Sequence, residues 1–457
     1  MHSIYVRDVV RVCHGKLLCG SLDLELIEFC TDSRKVGVGD VYVGICGERV
    51  DGNDFYEEAI KRGASCLILS KEPQNKCLEN VSILLVPDTI KCLQELASYK
   101  RSLYNIPVIA ITGSVGKTST KDIVYSVVSK KYKTLKTMGN YNNHLGVPLT
   151  VLGLRDHEAM VVEMGMNHLG EISLLSHIVK PTIAIVTNVG TAHIGNLGSR
   201  ENIRKAKLEI LDGMVGRQVI LNHDDDMLVE VEDELRKKYD VNTVSILDKS
   251  TYQAVNLKEN VFSSTFDVLG YADQIMVNVG GRAYIYNSLI AYAVGKILDI
   301  SDEEIKRGIF EFKLTSSRLE KKVTKKGTIL IDDTYNANYD SMKASIELLG
   351  RVQERRRIAI LGDMLELGEY TKDLHSKLGD VVVEQGIDQL ITIGEYSRWI
   401  AKRAIDLGMK EDNIISFDKE RESYLFLDKF LDQNDIVLLK GSHGIHLVGI
   451  VDYLMGK

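Results

Sequence analysis

The residues best suited to do chemistry form one short run, Gly113-Ser114-Val115-Gly116-Lys117-Thr118-Ser119-Thr120. Two glycines let backbone N–H groups close around an anion, Lys117 brings positive charge, and the Thr118 hydroxyl is a hard oxygen ligand suited to Mg²⁺. Such a run makes a phosphate cradle. The general phosphate-loop pattern has a further glycine where Ile111 stands, so the match rests on context, and an ordinary turn is the alternative. Before the run lies an apolar stretch, Ile106 to Ile111, of the kind that forms a strand buried on both faces. After it, Ile123, Val124, Val127 and Val128 recur on one face of a helix. Strand, glycine loop and amphipathic helix together favour nucleotide binding.

Other polar residues fall at the ends of expected strands. Glu163 ends the run Met160-Val161-Val162, and His193 follows the strand Thr182 to Thr187. Open parallel sheets bind ligands beyond the carboxyl ends of their strands, so both residues are candidates for a metal site. A solvated carboxylate and a surface histidine are the alternatives. A helix from about Arg200 to Leu211 carries Lys205 and Lys207, which on spacing alone read as solvated lysines. Asn222-His223-Asp224-Asp225-Asp226 offers acceptors to a ribose or makes a turn. Asp32-Ser33-Arg34 is either a cap or a set of donors for a phosphorylated ligand. Two further clusters, Asp332 to Asn338 and Gly362 to Gly368, also sit at strand ends.

Positioning these groups takes more than one core, since 457 residues imply two or three domains. Strands alternate with helices from residue 104 to about 313, the pattern of a mostly parallel sheet covered on both faces, and the alternation repeats over 314–457. Residues 1–103 carry short strands and helices and end in an amphipathic helix with Leu93, Leu96, Ala97 and Leu103 to one side. All seven cysteines precede residue 93 and all five prolines precede residue 182, an asymmetry that marks separate units. The cysteines show no C-x-x-C pair and read as small buried hydrophobes in a reducing compartment. With 44% hydrophobic and 26% charged residues the composition is that of a globular protein, and a net charge of −7 argues against nucleic-acid binding. No apolar run is long enough for a membrane span and the N-terminus lacks a signal-peptide pattern, so the cytoplasm is the expected compartment.

Taken together, these stretches resemble the Mur ligases over nearly the whole chain and in the family's order. The family's own loop is the shortened Gly-Ser-x-Gly-Lys-Thr-Ser-Thr form, which accounts for Ile111. Asp32-Ser33-Arg34, Gly139-Asn140-Tyr141-Asn142-Asn143, Glu163-Met164-Gly165-Met166-Asn167-His168, Asp332 to Asn338 and Leu361 to Gly368 resemble the branch that adds D-alanyl-D-alanine to a UDP-N-acetylmuramoyl tripeptide. The Asp-Asn-Pro-Arg signature of the diaminopimelate- or lysine-adding branch is missing. The resemblance implies three domains: a UDP-substrate-binding α/β domain (1–103), a central ATP-binding domain like the phosphate-loop ATPases (104–313), and a Rossmann-like domain (314–457) that closes about a hinge near residue 314. It implies an ADP-forming amide ligase of peptidoglycan synthesis, acting as a monomer through an acyl phosphate.

By the same resemblance, Gly113, Ser114, Gly116, Lys117, Thr118 and Ser119 hold the ATP phosphates, with Asn287 at the adenine and Arg318 and Asp333 at the γ-phosphate and ribose. Thr118 and Glu163 hold one Mg²⁺, and His193 a second together with Lys207 as its carbamate. Lys117, Lys207, His193 and Arg318 are the expected catalytic residues. Asp32, Ser33, Arg34, Asn142 and Asn143 hold the UDP-sugar, and Asn336, Asn338, Asp363 and Glu366 the amine substrate. Departures from the pattern are Ala283-Tyr284 in place of His-Asn, which loses one of two asparagines near the nucleotide and leaves Tyr284 to stack instead, and His144, Leu169, Tyr339, His443 and Ile445. Two other readings stay open: the same ligase chemistry with a different amine or acceptor, and a nucleotide-binding protein without ligase activity.

Overall fold

The computed structural model describes residues 2–74, 80–315 and 317–456. Its centre is a nine-stranded sheet. In spatial order the strands are Ala272–Val277, Ser264–Val268, Tyr252–Glu259, Asp240–Ser245, Gln218–Asn222, Ile183–Val186, Val108–Thr112, Ala159–Glu163 and Thr134–Lys136. The seven strands from Thr134–Lys136 to Tyr252–Glu259 are parallel and the last two pairings antiparallel. The apolar run read as a doubly buried strand is Val108–Thr112, and all five of its residues are buried. It lies between Ala159–Glu163 and Ile183–Val186, with Ile111 opposite Glu163 on one side and Thr112 opposite Val186 on the other. Three neighbouring strands therefore open at one edge, where parallel sheets bind ligands.

The helix Lys117–Val128 leaves the phosphate loop and buries Ile123, Val124, Val127 and Val128, the face expected from their spacing. It packs against the long helix Arg282–Ile297, itself buried along most of its length. The expected helix of Lys207 ends earlier than its pattern suggests: it is α-helical over Arg200–Leu208 and tightens to a 3₁₀ turn over Glu209–Leu211.

A second sheet of five strands, Lys16–Cys19, Ser82–Leu85, Cys66–Leu69, Val41–Val43 and Phe29–Cys30, is parallel except at Lys16–Cys19. The helix that follows, Thr89–Ser102, is capped by the Asp88 carboxylate on the N–H groups of Ile90 and Lys91. Its apolar face joins the core of the central sheet, where Leu93, Leu96 and Ala97 share a cluster with Val147, Val151, Ile172 and Leu175. Arg101 reinforces this join, its buried guanidinium donating to the carbonyls of Val179 (2.7 Å) and Lys180 (3.3 Å). The third sheet orders Glu320–Val323, Ile329–Asp332, Asp435–Lys440, Arg356–Gly362, Gln389–Ile393 and Ile414–Phe417, parallel but for the edge strand Glu320–Val323.

The cysteine reading needs correction. Cys13, Cys66 and Cys92 are buried, but Cys19 and Cys30 are half-buried and Cys46 is exposed, and Cys77 lies outside the described residues. Cys46 lies beyond the Val41–Val43 strand end, and Cys19 and Cys30 are on the two edge strands, where one side stays open. Among the described residues no helix is long and apolar enough to cross a membrane.

Candidate active site

The loop after Val108–Thr112 is fastened on one side to the segment after Ile183–Val186. Asn188 does most of this. Its carbonyl accepts from the Ser114 N–H (3.1 Å), its Oδ1 from the Val115 N–H (2.8 Å), and its Nδ2 donates to the Val115 carbonyl (2.9 Å). Gly113 has φ +155°, and a Cβ there would lie 1.8 Å from Thr187 Oγ1, so only glycine fits. Lys117 curls back with Nζ 2.8 Å from the Gly113 carbonyl, the place a phosphate oxygen would take. Burial holds its pKa below the usual lysine value, with Arg318 adding to the depression and Glu163 opposing it.

Glu163 is 2% exposed. Its Oε1 accepts from Asn142 Nδ2 at 2.8 Å, while Oε2 is buried with no hydrogen-bond partner. His193 holds a left-handed conformation (φ +65°). Burial, and then the positive charges of Lys117 and Lys207, push its pKa down to about 4, so at neutral pH the ring is uncharged and carries a lone pair. Nδ1 lies 3.2 Å from Glu366 Oε2 but without the alignment of a hydrogen bond. Lys207 is 1% exposed, against the solvated position its spacing suggests, and among the described residues no carboxylate forms an ion pair with it. Burial and the charge of Lys117 hold its pKa well below that of an ordinary lysine.

From the third sheet come Arg318, Asp333, Asn336 and Asn338. Arg318 lies with its guanidinium carbon 4.0 Å over the Tyr335 ring and its Nε buried and unpartnered. Asp333 pairs with Lys440 (2.7 Å) and accepts from Ser345 (2.7 Å). Asn338 caps the helix Tyr339–Gly350. A cleft of about 450 Å³ brings together Ser114, Gly116, Lys117, Thr118, Ser119, Asn142, Asn143, Glu163, His193, Asn287, Arg318, Asp333, Asn336 and Asn338. Cations and unpartnered polar atoms thus converge from two sheets on one concave space.

Some residues lie elsewhere. Asp32, Ser33 and Arg34 lie just past the strand Phe29–Cys30, where Asp32 caps the 3₁₀ turn Ser33–Lys35, Arg34 holds the Asp32 carboxyl down to about 2 and Ser33 donates to Glu58 (2.6 Å). Asp32 lines a separate, smaller cavity between that sheet and Leu135–Gly153. Asp363 is buried, and its two oxygens accept from the N–H groups of Ser397 (2.6 Å) and Glu395 (3.1 Å) rather than facing the cleft. Glu366 lies against His193 and is largely exposed. Asn287 does line the main cleft, from beneath the phosphate loop, and accepts from Thr120 (2.9 Å). Tyr284 is buried beside it, its hydroxyl 3.2 Å from Ser119 Oγ and donating to the Arg318 carbonyl (3.3 Å). Of the other departures, His443 is exposed and Ile445 half-buried. Asn188, Tyr335 and Lys440 went unassigned on sequence; the one signal for them is their position just beyond strand ends.

Among the described residues no group of three or more His, Cys, Asp or Glu side chains could hold a metal by itself. The orphaned Glu163 Oε2 and the neutral His193 still fit a hard cation that takes its remaining ligands from phosphate oxygens and water, the habit of Mg²⁺.

A glycine-rich loop at the open edge of a parallel sheet, facing Arg318 across the cleft, has the form of a nucleotide-using enzyme's site. Family models give the class its name: "Mur ligase family, catalytic domain" matches residues 28–101, "Mur ligase middle domain" 111–295, and "Mur ligase, glutamate ligase domain" 317–443. The chain belongs to the Mur ligase family. Within it, the chain is similar to the UDP-N-acetylmuramoyl-tripeptide–D-alanyl-D-alanine ligase of Bacillus subtilis, 33% identical over 453 residues that cover 98% of each chain. Among solved structures it is similar to MurF of Acinetobacter baumannii (TM-score 0.90, 28% identity, all of both chains). It is also similar to MurF of Thermotoga maritima in complex with ADP (TM-score 0.81, 27% identity, 94% of this chain and 97% of that one).

Proposed function

We propose that this chain joins D-alanyl-D-alanine to UDP-N-acetylmuramoyl-tripeptide at the expense of ATP, as a cytoplasmic step in peptidoglycan precursor synthesis. The observation that carries the reading is the likeness to the Bacillus ligase along 98% of both chains. The three domains are assigned to 1–103 for the UDP-sugar, 104–313 for ATP and 314–457 for the amine.

Chemistry of this kind transfers the γ-phosphoryl group to the substrate carboxylate and then lets the amine attack the acyl phosphate, with phosphate leaving from a tetrahedral intermediate. It requires charge neutralisation and alignment more than proton transfer. Lys117 leaves the Gly113 carbonyl to meet the phosphates, and the phosphate-loop N–H groups complete the cradle. Arg318, held flat over Tyr335, offers its free Nε to the same charge from the opposite wall. Thr118, Glu163, His193 and a carbamate on Lys207 would hold Mg²⁺, which when bound offsets phosphate charge and orients the transferred group. A buried amine kept neutral is nucleophilic enough to add CO₂, and the resulting carbamate puts a negative group where an ammonium would repel the metal.

Phosphate release from ATP with UDP-N-acetylmuramoyl-tripeptide, with and without D-alanyl-D-alanine, tests the reading. Release that needs both substrates is expected. Release with a different amine would move the chain to another amide ligase, and none with any dipeptide would remove the reading.

A further inference from the structure

The segment that carries His193 has little structure of its own: it is irregular from Thr187 to His193 and then makes a single turn, Ile194–Leu197. Up to Gly190 it is tied to its own domain, the Val189 N–H donating to Asp225 (2.8 Å) and the Gly190 N–H to Ser114 (2.9 Å), and beyond that it is held by the third sheet's layer. Asp340, in the first turn of the helix Tyr339–Gly350, accepts with one oxygen, Oδ2, from both the N–H (2.8 Å) and the hydroxyl (3.0 Å) of Thr191. The approach is close enough that a Cβ on Gly190 would sit 2.3 Å from that oxygen. Farther along, the Tyr370 hydroxyl donates to the Gly198 carbonyl at 3.2 Å.

Two residues after the clasped Thr191, His193 is left-handed, a conformation that costs a non-glycine residue free energy and persists where its surroundings over-determine it. Turn bonds within the segment account for part of this, the Thr191 carbonyl accepting from the Ile194 N–H (3.1 Å) and the His193 carbonyl from the N–H groups of Asn196 (3.0 Å) and Leu197 (3.1 Å). A charge-assisted pair of hydrogen bonds from the third sheet's layer adds the hold at Thr191 itself. We propose that Asp340 is a positioning residue: by clasping Thr191 it completes the hold on the backbone that places His193 in the cleft with Lys117 and Glu163, so that the metal-binding half of the site is complete only when the third sheet is docked. This rests on the ligase reading, in which His193 serves the nucleotide's metal. It adds that the docked domain builds part of the ATP site besides delivering Arg318.

The test uses the full chain as wild type, Asp340→Ala, Asp340→Asn and Thr191→Val. Asparagine keeps an acceptor oxygen and loses only charge, while Thr191→Val removes one donor from the other side of the clasp. Amide hydrogen exchange over residues 188–198 and the Mg²⁺ concentration giving half-maximal phosphate release are read together. Asp340→Ala is expected to speed exchange in this segment by about tenfold or more, raise the half-saturating Mg²⁺ and lower kcat, with KM for the UDP-substrate unchanged. Thr191→Val should do the same more weakly, and Asp340→Asn should recover most of both quantities. Unchanged exchange and Mg²⁺ response in Asp340→Ala would overturn the proposal, as would an asparagine variant as impaired as the alanine one. If the wild type itself releases no phosphate with any acceptor, it is the ligase reading that has failed, and the exchange rates alone then decide whether Asp340 holds the segment.

Discussion

Lys207 is almost fully enclosed, feels the positive charge of Lys117, and among the described residues has no carboxylate paired to it. Burial disfavours an ammonium there and so favours an uncharged amine. If it works as a carbamate, Lys207→Ala should lose nearly all turnover and regain part of it when a small carboxylate such as formate is supplied to occupy the vacated space. A fully active Lys207→Ala would contradict the assignment. Periodicity alone places Lys207 in solvent, because a lysine on a short charged helix is ordinarily solvated, whereas the helix Arg200–Leu208 packs against the helices Glu171–Val179 and Asp226–Arg236, a pairing its own pattern does not show. The phosphate loop was legible for the opposite reason: its glycines, lysine and hydroxyls are local, and their chemistry follows from spacing. Tyr284 is intermediate. Its departure from the family pattern is visible in sequence, but its bonds to Ser119 and to the Arg318 carbonyl join segments more than a hundred and sixty and about thirty residues away.

At the scale of elements, the strand ends were read well because doubly buried strands announce themselves as apolar runs closed by a polar residue, as at Glu163 and Asp332. The helix Thr89–Ser102 was less transparent. Its amphipathic face was plain, but the break in cysteine and proline usage nearby suggests an independent unit, and its apolar side in fact completes the core of the central sheet. Lys100, near its C-terminal end, reports on this packing. Burial, with Arg155 adding to it, lowers its pKa from 10.5 to about 8, and its Nζ donates to the His2 carbonyl. Below about pH 8 both folded and unfolded states carry the proton and the cost of burying the charge is present in full. Between there and the unfolded value the unfolded state binds more protons, so stability rises with pH. The denaturation midpoint of the wild type should therefore gain on that of Lys100→Met between about pH 8 and about pH 10. A constant difference would show that Lys100 is not buried as a charge.

In the whole molecule, the residues proposed for catalysis are divided between two sheets, and the polar contacts that join them include Thr315 to Asp122 at 2.6 Å, Arg351 to Glu259, Tyr284 to the Arg318 carbonyl, Tyr370 to the Gly198 carbonyl, and the Asp340 clasp. Such a division makes chemistry depend on docking, since neither sheet alone carries both Lys117 and Arg318. The alternation of strands and helices foretold the two larger sheets, whereas nothing in a single sequence pairs Thr191 with Asp340. In the proposed reaction the γ-phosphoryl group passes to the substrate's carboxylate before the amide forms. With a heavy-oxygen label placed in that carboxylate of UDP-N-acetylmuramoyl-tripeptide, turnover with ATP and D-alanyl-D-alanine should deliver one labelled oxygen to each released phosphate. Released phosphate free of label, with amide still formed, would contradict the account.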